Sequence, residues 1–148
     1  MKTNNFLVLI LCLAFFSCKT YTITPQSFKE QFANVDSTAL KPIGMNSAFP
    51  YTYNGINMSY KSNHIDKIRV VDKDGKKYEL KNSPAIEMRI ILKNNKKHHF
   101  YFDTVYLQND TLIGGRSRFI PKLVTKIPFE NIQKIEVQDG GKQMKYSN

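Results

Sequence analysis

Two adjacent histidines, His98 and His99, are the first residues in this sequence that could ligate a metal. Neighbours on a strand face opposite sides, so this pair is badly built to grip one ion. His99 and Asp103 would share a face of a regular strand, but ~13 Å apart at ~3.3 Å per residue, too far for a common ion. His64 is the only other histidine, so no metal site is expected. Asp72-Lys73-Asp74-Gly75 opens like a calcium loop, but the further oxygen ligands before the glycine and the glutamate after it are missing, which leaves a hairpin turn. Gly115-Arg116-Ser117-Arg118 is not the Gly-x-Ser-x-Gly nucleophile elbow, and no Gly-rich phosphate loop occurs. These residues assign no catalytic group and no cofactor, and nothing in the motifs points to an enzyme.

The two cysteines, Cys12 and Cys18, carry more information. Lys2 gives a basic start, and Phe6 to Phe16 is an unbroken apolar run. A membrane-spanning helix needs about 20 such residues, so a run this short matches the hydrophobic region of a secretory signal peptide. Ser17-Cys18 ends it, a small residue directly before a cysteine. The segment 1–18 resembles the signal and lipobox of bacterial lipoproteins. The resemblance implies a signal peptide over 1–17, removal of Ser17 as its last residue, and acylation of Cys18 by diacylglyceryl and amide-linked chains. Cleavage after Ala14 is the alternative, and it would strand an unpaired Cys18 in an oxidising compartment. One acyl chain holds a protein to a membrane only marginally, whereas two or more hold it firmly, at ~0.8 kcal/mol per buried CH₂. The implied location is the bacterial cell envelope, with the outer membrane favoured in a diderm cell and the domain facing the periplasm or the surface. Cys12 would leave with the signal, so the mature chain would have no free thiol and no disulfide.

The 148 residues carry 22 Lys and Arg against 12 Asp and Glu, a formal charge of +10. Much of that excess gathers in two places. Arg116, Arg118, Lys122 and Lys126 lie between Asp110 and Glu130 with no acid among them, and Lys93, Lys96 and Lys97 cluster on another turn. Near an anionic membrane each such residue adds ~1 kcal/mol, so these turns are candidate contacts for anionic headgroups or for an envelope protein. The plain alternative is a solvated basic face. Secretion removes the usual nucleic-acid targets of a basic domain, so none is expected.

The elements that must position these residues are mostly strands. At this length the chain is one domain large enough for a core. Segment 18–23 reads as a lipidated tether. Thr24-Pro25 reads as a helix start, with Phe28, Phe32 and Val35 on one face of an amphipathic helix within 24–35. Segment 36–50, with Pro42, Gly44 and Pro50, reads as an irregular connection. From 51 to 146 the signals are β: Asn54-Gly55, Asp74-Gly75, Asn94-Asn95 and Asn109-Asp110 mark turns. Ile86, Met88, Ile90 and Leu92 alternate with Glu87, Arg89 and Lys93. Phe100 and Phe102 are out of phase with Val105 and Leu107, which predicts a bulge or corner near Asp103-Thr104. Gly114-Gly115 predicts a close backbone approach. Beyond Asp139-Gly140-Gly141 the tail is polar.

The expected class is mainly β with one short N-terminal helix, a small antiparallel barrel or sandwich. By strand rhythm, Ile86 to Val137 resembles a small SH3-like or Sm-like barrel, without the Sm RNA-binding signatures. Residues 65–72 and 132–139 are alike, sharing their Ile, Lys, Ile, Val and Asp. The expected function is a membrane-anchored, non-enzymatic binding or assembly module acting through a sheet edge or loop surface. The rival is a small-ligand-binding or substrate-processing envelope domain with a pocket at a barrel mouth.

Overall fold

Alternation decides most of this structure. In the strand Ile86–Leu92, Ile86, Met88 and Ile90 are buried while Glu87 and Arg89 reach toward solvent. A computed structural model describes residues 19–47, 56–118, 120, 122–142 and 144–147. Cys18, the segment before it and the Asn54-Gly55 turn lie outside the described residues. In chain order the elements are β1 (Thr20–Ile23), α1 (Pro25–Gln31), β2 (Lys41–Ser47), β3 (Ile56–Ser62), β4 (Lys67–Val71), β5 (Lys77–Lys81), β6 (Ile86–Leu92), β7 (Lys97–Tyr101), β8 (Val105–Gln108), β9 (Thr111–Gly115), β10 (Val124–Pro128), β11 (Ile132–Asp139) and β12 (Met144–Ser147). Two 3₁₀ turns, Phe102–Thr104 and Phe129–Asn131, sit before β8 and before β11.

Every strand pairing is antiparallel. One six-stranded sheet runs β5-β4-β1-β11-β6-β7, and two three-stranded sheets run β10-β9-β8 and β12-β2-β3. The class is mainly β with one helix near the start, as the residue pattern implies, and the sheets do not close into a barrel. From Ile86 to Asp139 the chain passes from the six-stranded sheet to a three-stranded one and back. The β6–β7 hairpin turns through Phe102–Thr104 into β8-β9-β10, and after Phe129–Asn131 the strand β11 returns to pair with β6.

The phase slip at Asp103-Thr104 is therefore a corner that passes the chain from one sheet to another. It explains how Phe100, Phe102 and Val105 can all be buried although no single strand could bury them together. The turns follow local chemistry. Asn109 and Asp110 have φ of 49° and 52°, the paired left-handed values of a two-residue hairpin turn, while Asn95 with φ 63° and Gly75 with φ 78° are the single left-handed residues of longer hairpin loops. Gly114 meets the expectation of a close approach: a Cβ there would lie 2.5 Å from a ring carbon of Phe100.

Four expected boundaries need correction. The tether 18–23 is not free, because Thr20–Ile23 is β1 and pairs with β11 from Thr20–Gln138 to Ile23–Ile135. The helix ends at Gln31, with Phe32 as its C-cap. The connection 36–50 contains β2, whose Pro42 faces Lys61 of β3 while β12 covers only Gly44 to Ser47 on the other side. Pro42 thus sits where that side of the strand is an edge and needs no N–H donor. The polar tail contains β12, which pairs with β2. A strand of four residues without an apolar alternation leaves little signal in the sequence.

The core lies between α1 and the sheets. Thr24 accepts a hydrogen bond from the Ser27 N–H at 3.2 Å, with Pro25 in the first turn, the cap that the sequence implies. Phe28 and Phe32 are fully buried and stack at 4.2 Å between centroids, and Phe32 meets Phe102 edge-on at 5.4 Å. Gln31 docks the helix on β4. Its side chain accepts from Arg69 N–H at 2.7 Å and donates to Arg69 C=O at 3.1 Å. The amide replaces the ladder bonds that β1 would make had it not turned into α1.

The two similar segments occupy like places. Residues 67–71 of the first are β4 and residues 132–139 are β11, and both flank β1. Ile68 and Val70 are buried, as are their counterparts Ile135 and Val137. The β11 register shifts between Ile132 and Lys134, which brings Ile132 to the buried face as well.

Candidate functional site

A buried polar group centred on Asp103 and Arg118 joins all three sheets. Asp103, in the 3₁₀ corner, is wholly buried, and the Arg118 side chain is 2% exposed. Arg118 donates from one terminal nitrogen to Asp103 Oδ1 at 2.9 Å and to the Pro84 carbonyl at 2.8 Å. The other carboxylate oxygen accepts from the Tyr60 hydroxyl of β3 and from the Tyr146 hydroxyl of β12, the latter at 3.2 Å. Asn63 donates to the carbonyls on either side of the corner, Phe102 at 2.7 Å and Val105 at 3.0 Å, and its N–H bonds the Asp103 carbonyl at 2.8 Å. The guanidinium lies 3.7 Å over the Tyr101 ring and 5.1 Å from the Tyr60 ring. A buried charge pair holds only when its remaining lone pairs and protons find partners. Here both carboxylate oxygens have them, whereas Arg118 Nε has none.

Burial, reinforced by the Asp103 carboxylate, pushes the Tyr60 phenol far above its ordinary value of 10.0, and the same two causes raise Tyr146. Both phenols therefore remain protonated donors in the folded protein. A phenol whose folded pKa exceeds its unfolded value contributes stability that is full below pH 10 and is lost as pH rises beyond it, because only the unfolded chain can ionise there. Above about pH 10, stability should fall as pH rises, by at most about 1.4 kcal/mol per pH unit for each tyrosine and by less for the half-buried Tyr146. Urea midpoints across that range check this, and Tyr60→Phe should flatten the decline. A midpoint independent of pH there would mean that Tyr60 ionises freely in the fold.

Arg118 corrects the sequence reading: it was expected among surface contacts for anions, and it is instead the cation that Asp103 consumes. Sequence reasoning also missed Asp103, Tyr60 and Tyr146. The available signal was the phase slip itself, which puts an acid at a corner between two buried residues, where a carboxylate needs a cation or hydrogen-bond donors.

The other basic residues are exposed, and they divide. Lys93, Lys96 and Lys97 surround the β6–β7 turn, where Lys93 N–H bonds the Asn131 carbonyl at 2.9 Å. Arg116 and Lys122 lie in the β9–β10 loop, and Lys126 lies on β10. Arg116 N–H closes that loop on the Leu123 carbonyl at 2.9 Å, and Leu123 N–H bonds the Ile120 carbonyl at 3.0 Å. The same loop exposes Ile120 and Leu123, by 56% and 43%, and Val124, the first residue of β10, is 45% exposed beside them. These are the exposed large apolar residues among the described residues.

The histidines stay apart. His98 stands opposite Ile90 and His99 opposite Arg89 across the β6–β7 ladder. Among the described residues no three His, Cys, Asp or Glu side chains come together as a metal group. Surface grooves are present rather than a barrel mouth. One of about 500 Å³ is lined by Leu40, Pro42, Tyr60, Tyr106, Arg118 and Val124, among others. Its Tyr60 hydroxyl and its guanidinium are already turned onto Asp103. A second, of about 520 Å³, lies between α1 and β4–β5.

Comparison with protein-family models, with curated proteins and with solved structures finds no match.

Proposed function

We propose that this chain is a lipid-anchored protein of the bacterial envelope, a binding or assembly module without catalytic chemistry of its own, held at the membrane through acylated Cys18. The supporting sequence features are the short apolar run and Ser17-Cys18. Ser17-Cys18 is the observation that carries the reading, and the placement of Thr20 within the six-stranded sheet sets how an anchor there would act. Only Lys19 separates Cys18 from that strand. An acyl anchor at Cys18 would therefore draw the folded body against the headgroups instead of letting it swing on a leash.

The contact surface is a loop surface rather than a sheet edge. Edge strands that invite pairing are long and flat, and lysine or proline blunts them. Here the edge strands β5, β7, β3, β12 and β10 carry Lys77 and Lys81, Lys97, Lys61, Lys145 and Lys126, and β10 ends at Pro128; the remaining edge, β8, has no such residue but is only four residues long, and its Leu107 N–H already bonds the Val35 carbonyl. The partners that fit are an anionic membrane surface or an envelope protein, and no nucleic acid is invoked.

Fractionation with intact-mass measurement tests the anchor. The mature protein should begin at Cys18, carry the mass of its acyl chains, and sediment with membranes. Cys18→Ala should either release the protein or leave the uncleaved precursor. A Cys18→Ala protein that is still processed and still fractionates with lipid would reject the anchor.

A further inference from the structure

We infer that the β9–β10 loop is the part of the folded body that meets the bilayer, with Ile120, Leu123 and Val124 at headgroup depth and Arg116, Lys122 and Lys126 on anionic lipid phosphates. The inference rests on the anchor proposed above. It distinguishes between two basic clusters that the sequence could not rank.

The first ground is position. Across the central strands the register runs Thr20–Gln138, Gln138–Glu87 and Glu87–Tyr101. This row crosses one end of the sheet, and three strand spacings carry it ~14 Å from the tether to Tyr101. Arg118 lies on the Tyr101 ring at 3.7 Å, so the loop that contains it begins at the same end as the tether. Lys142 completes that end, over the Tyr101 ring at 5.3 Å and paired with Glu87. The Lys93–Lys97 turn lies at the other end of β6. From Glu87 to Leu92 is ~17 Å along the strand, beyond a Debye length from a surface held at residue 18.

The second ground is composition. Isolated exposed apolar residues mean little, but three in one short stretch mark an interaction surface. Arg116, Lys122 and Lys126 accompany them, and no acid lies between Asp110 and Glu130. Apolar residues rimmed by cations match an anionic bilayer interface, where burial and charge act together. Val124 and Lys126 share the outward face of β10, since Ile127 is buried between outward neighbours.

The third ground is rigidity. The described residues Arg116, Arg118, Ile120 and Leu123 are held before any membrane arrives, by the Arg116–Leu123 and Leu123–Ile120 backbone bonds and by the burial of Arg118. Little ordering entropy would then oppose insertion.

The chain contains no tryptophan, so one introduced indole reports one place. Leu123→Trp and Ile120→Trp in the loop, and Lys96→Trp on the other turn, are compared in the full-length protein. Each is reconstituted into vesicles of phosphatidylethanolamine and phosphatidylglycerol, with and without brominated acyl chains. The loop indoles should shift to the blue and lose intensity to bromine, while Lys96→Trp should keep its aqueous emission. Replacing Arg116, Lys122 and Lys126 by glutamine should remove the shift of Leu123→Trp. Vesicles of phosphatidylcholine alone should give a smaller shift than the anionic ones.

Co-flotation and intact mass, read on the same samples, separate the two ideas. Protein that floats with an acylated Cys18 while both loop indoles stay aqueous overturns this inference and leaves the anchor standing. Equal quenching of Lys96→Trp overturns the assignment of the facing end. Protein that fails to float with an unmodified Cys18 overturns the anchor, and the inference falls with it.

Discussion

Asp103→Ala should remove roughly 3–5 kcal/mol of stability, which is the cost of leaving a buried charge without its partner. Among the described residues Arg118 would keep only the Pro84 carbonyl as a hydrogen-bond acceptor of ordinary strength, beside the Met144 sulfur at 4.0 Å and the face of the Tyr101 ring. Tyr60 and Tyr146 would lose the acceptor that both hydroxyls share. A domain of this size has ~5–15 kcal/mol in total, so the variant should unfold at far lower urea. Removing both charges together, with Asp103→Leu and Arg118→Met, should cost much less than Asp103→Ala alone, because no charge is left stranded. Equilibrium urea titration reads all of these. An Asp103→Ala loss below about 1 kcal/mol would place Arg118 in the class of solvated surface pairs and would contradict its burial.

The same pair links fold to proposed function. Asp103 sits in the corner that moves the chain from the central sheet to β8, and Arg118 sits in the loop assigned to the membrane. Their ion pair holds the loop at the tether end, and Tyr60 and Tyr146 bring the third sheet to the same carboxylate. The group thus positions the corner, the loop and the third sheet about one carboxylate, both of whose oxygens accept hydrogen bonds.

How much of this could be read beforehand depended on how local the cause was. Asn109-Asp110 and Asp74-Gly75 carry their turns in their own backbone preferences, and Ile86 to Leu92 carries its buried face in its alternation. The helix cap at Thr24-Pro25 is equally local. The strands β1, β2 and β12 are short, and what makes them strands is the neighbours that supply their ladders, which lie far away in sequence. Arg118 failed for the same reason. Within its segment it is one cation of four, and only the fold shows that a buried carboxylate faces it. The division between the Lys93–Lys97 turn and the β9–β10 loop is likewise a property of register rather than composition.

The second large effect is expected at Phe28. Its ring is fully buried, stacked on Phe32 at 4.2 Å and near Phe129 at 5.9 Å. Phe28→Ala should cost roughly 3–5 kcal/mol through lost burial and the cavity left between helix and sheet. The helix has seven residues, too few to be stable by itself, so it exists because Phe28 holds it down. Removing the cap with Thr24→Ala should cost only about 1 kcal/mol, since the aromatic stack remains. The two variants separate two pictures of this end of the core. If the helix folds only with the sheet, Phe28→Ala lowers the urea midpoint of one cooperative transition and leaves its slope unchanged. If the helix can fray while the sheet stays closed, Phe28→Ala costs no more than Thr24→Ala and helical signal is lost ahead of the main transition. The bonds from Gln31 to both backbone groups of Arg69 favour the first picture. Losing α1 would expose the β4 backbone as well as the apolar face of the sheet, so fraying has no inexpensive intermediate.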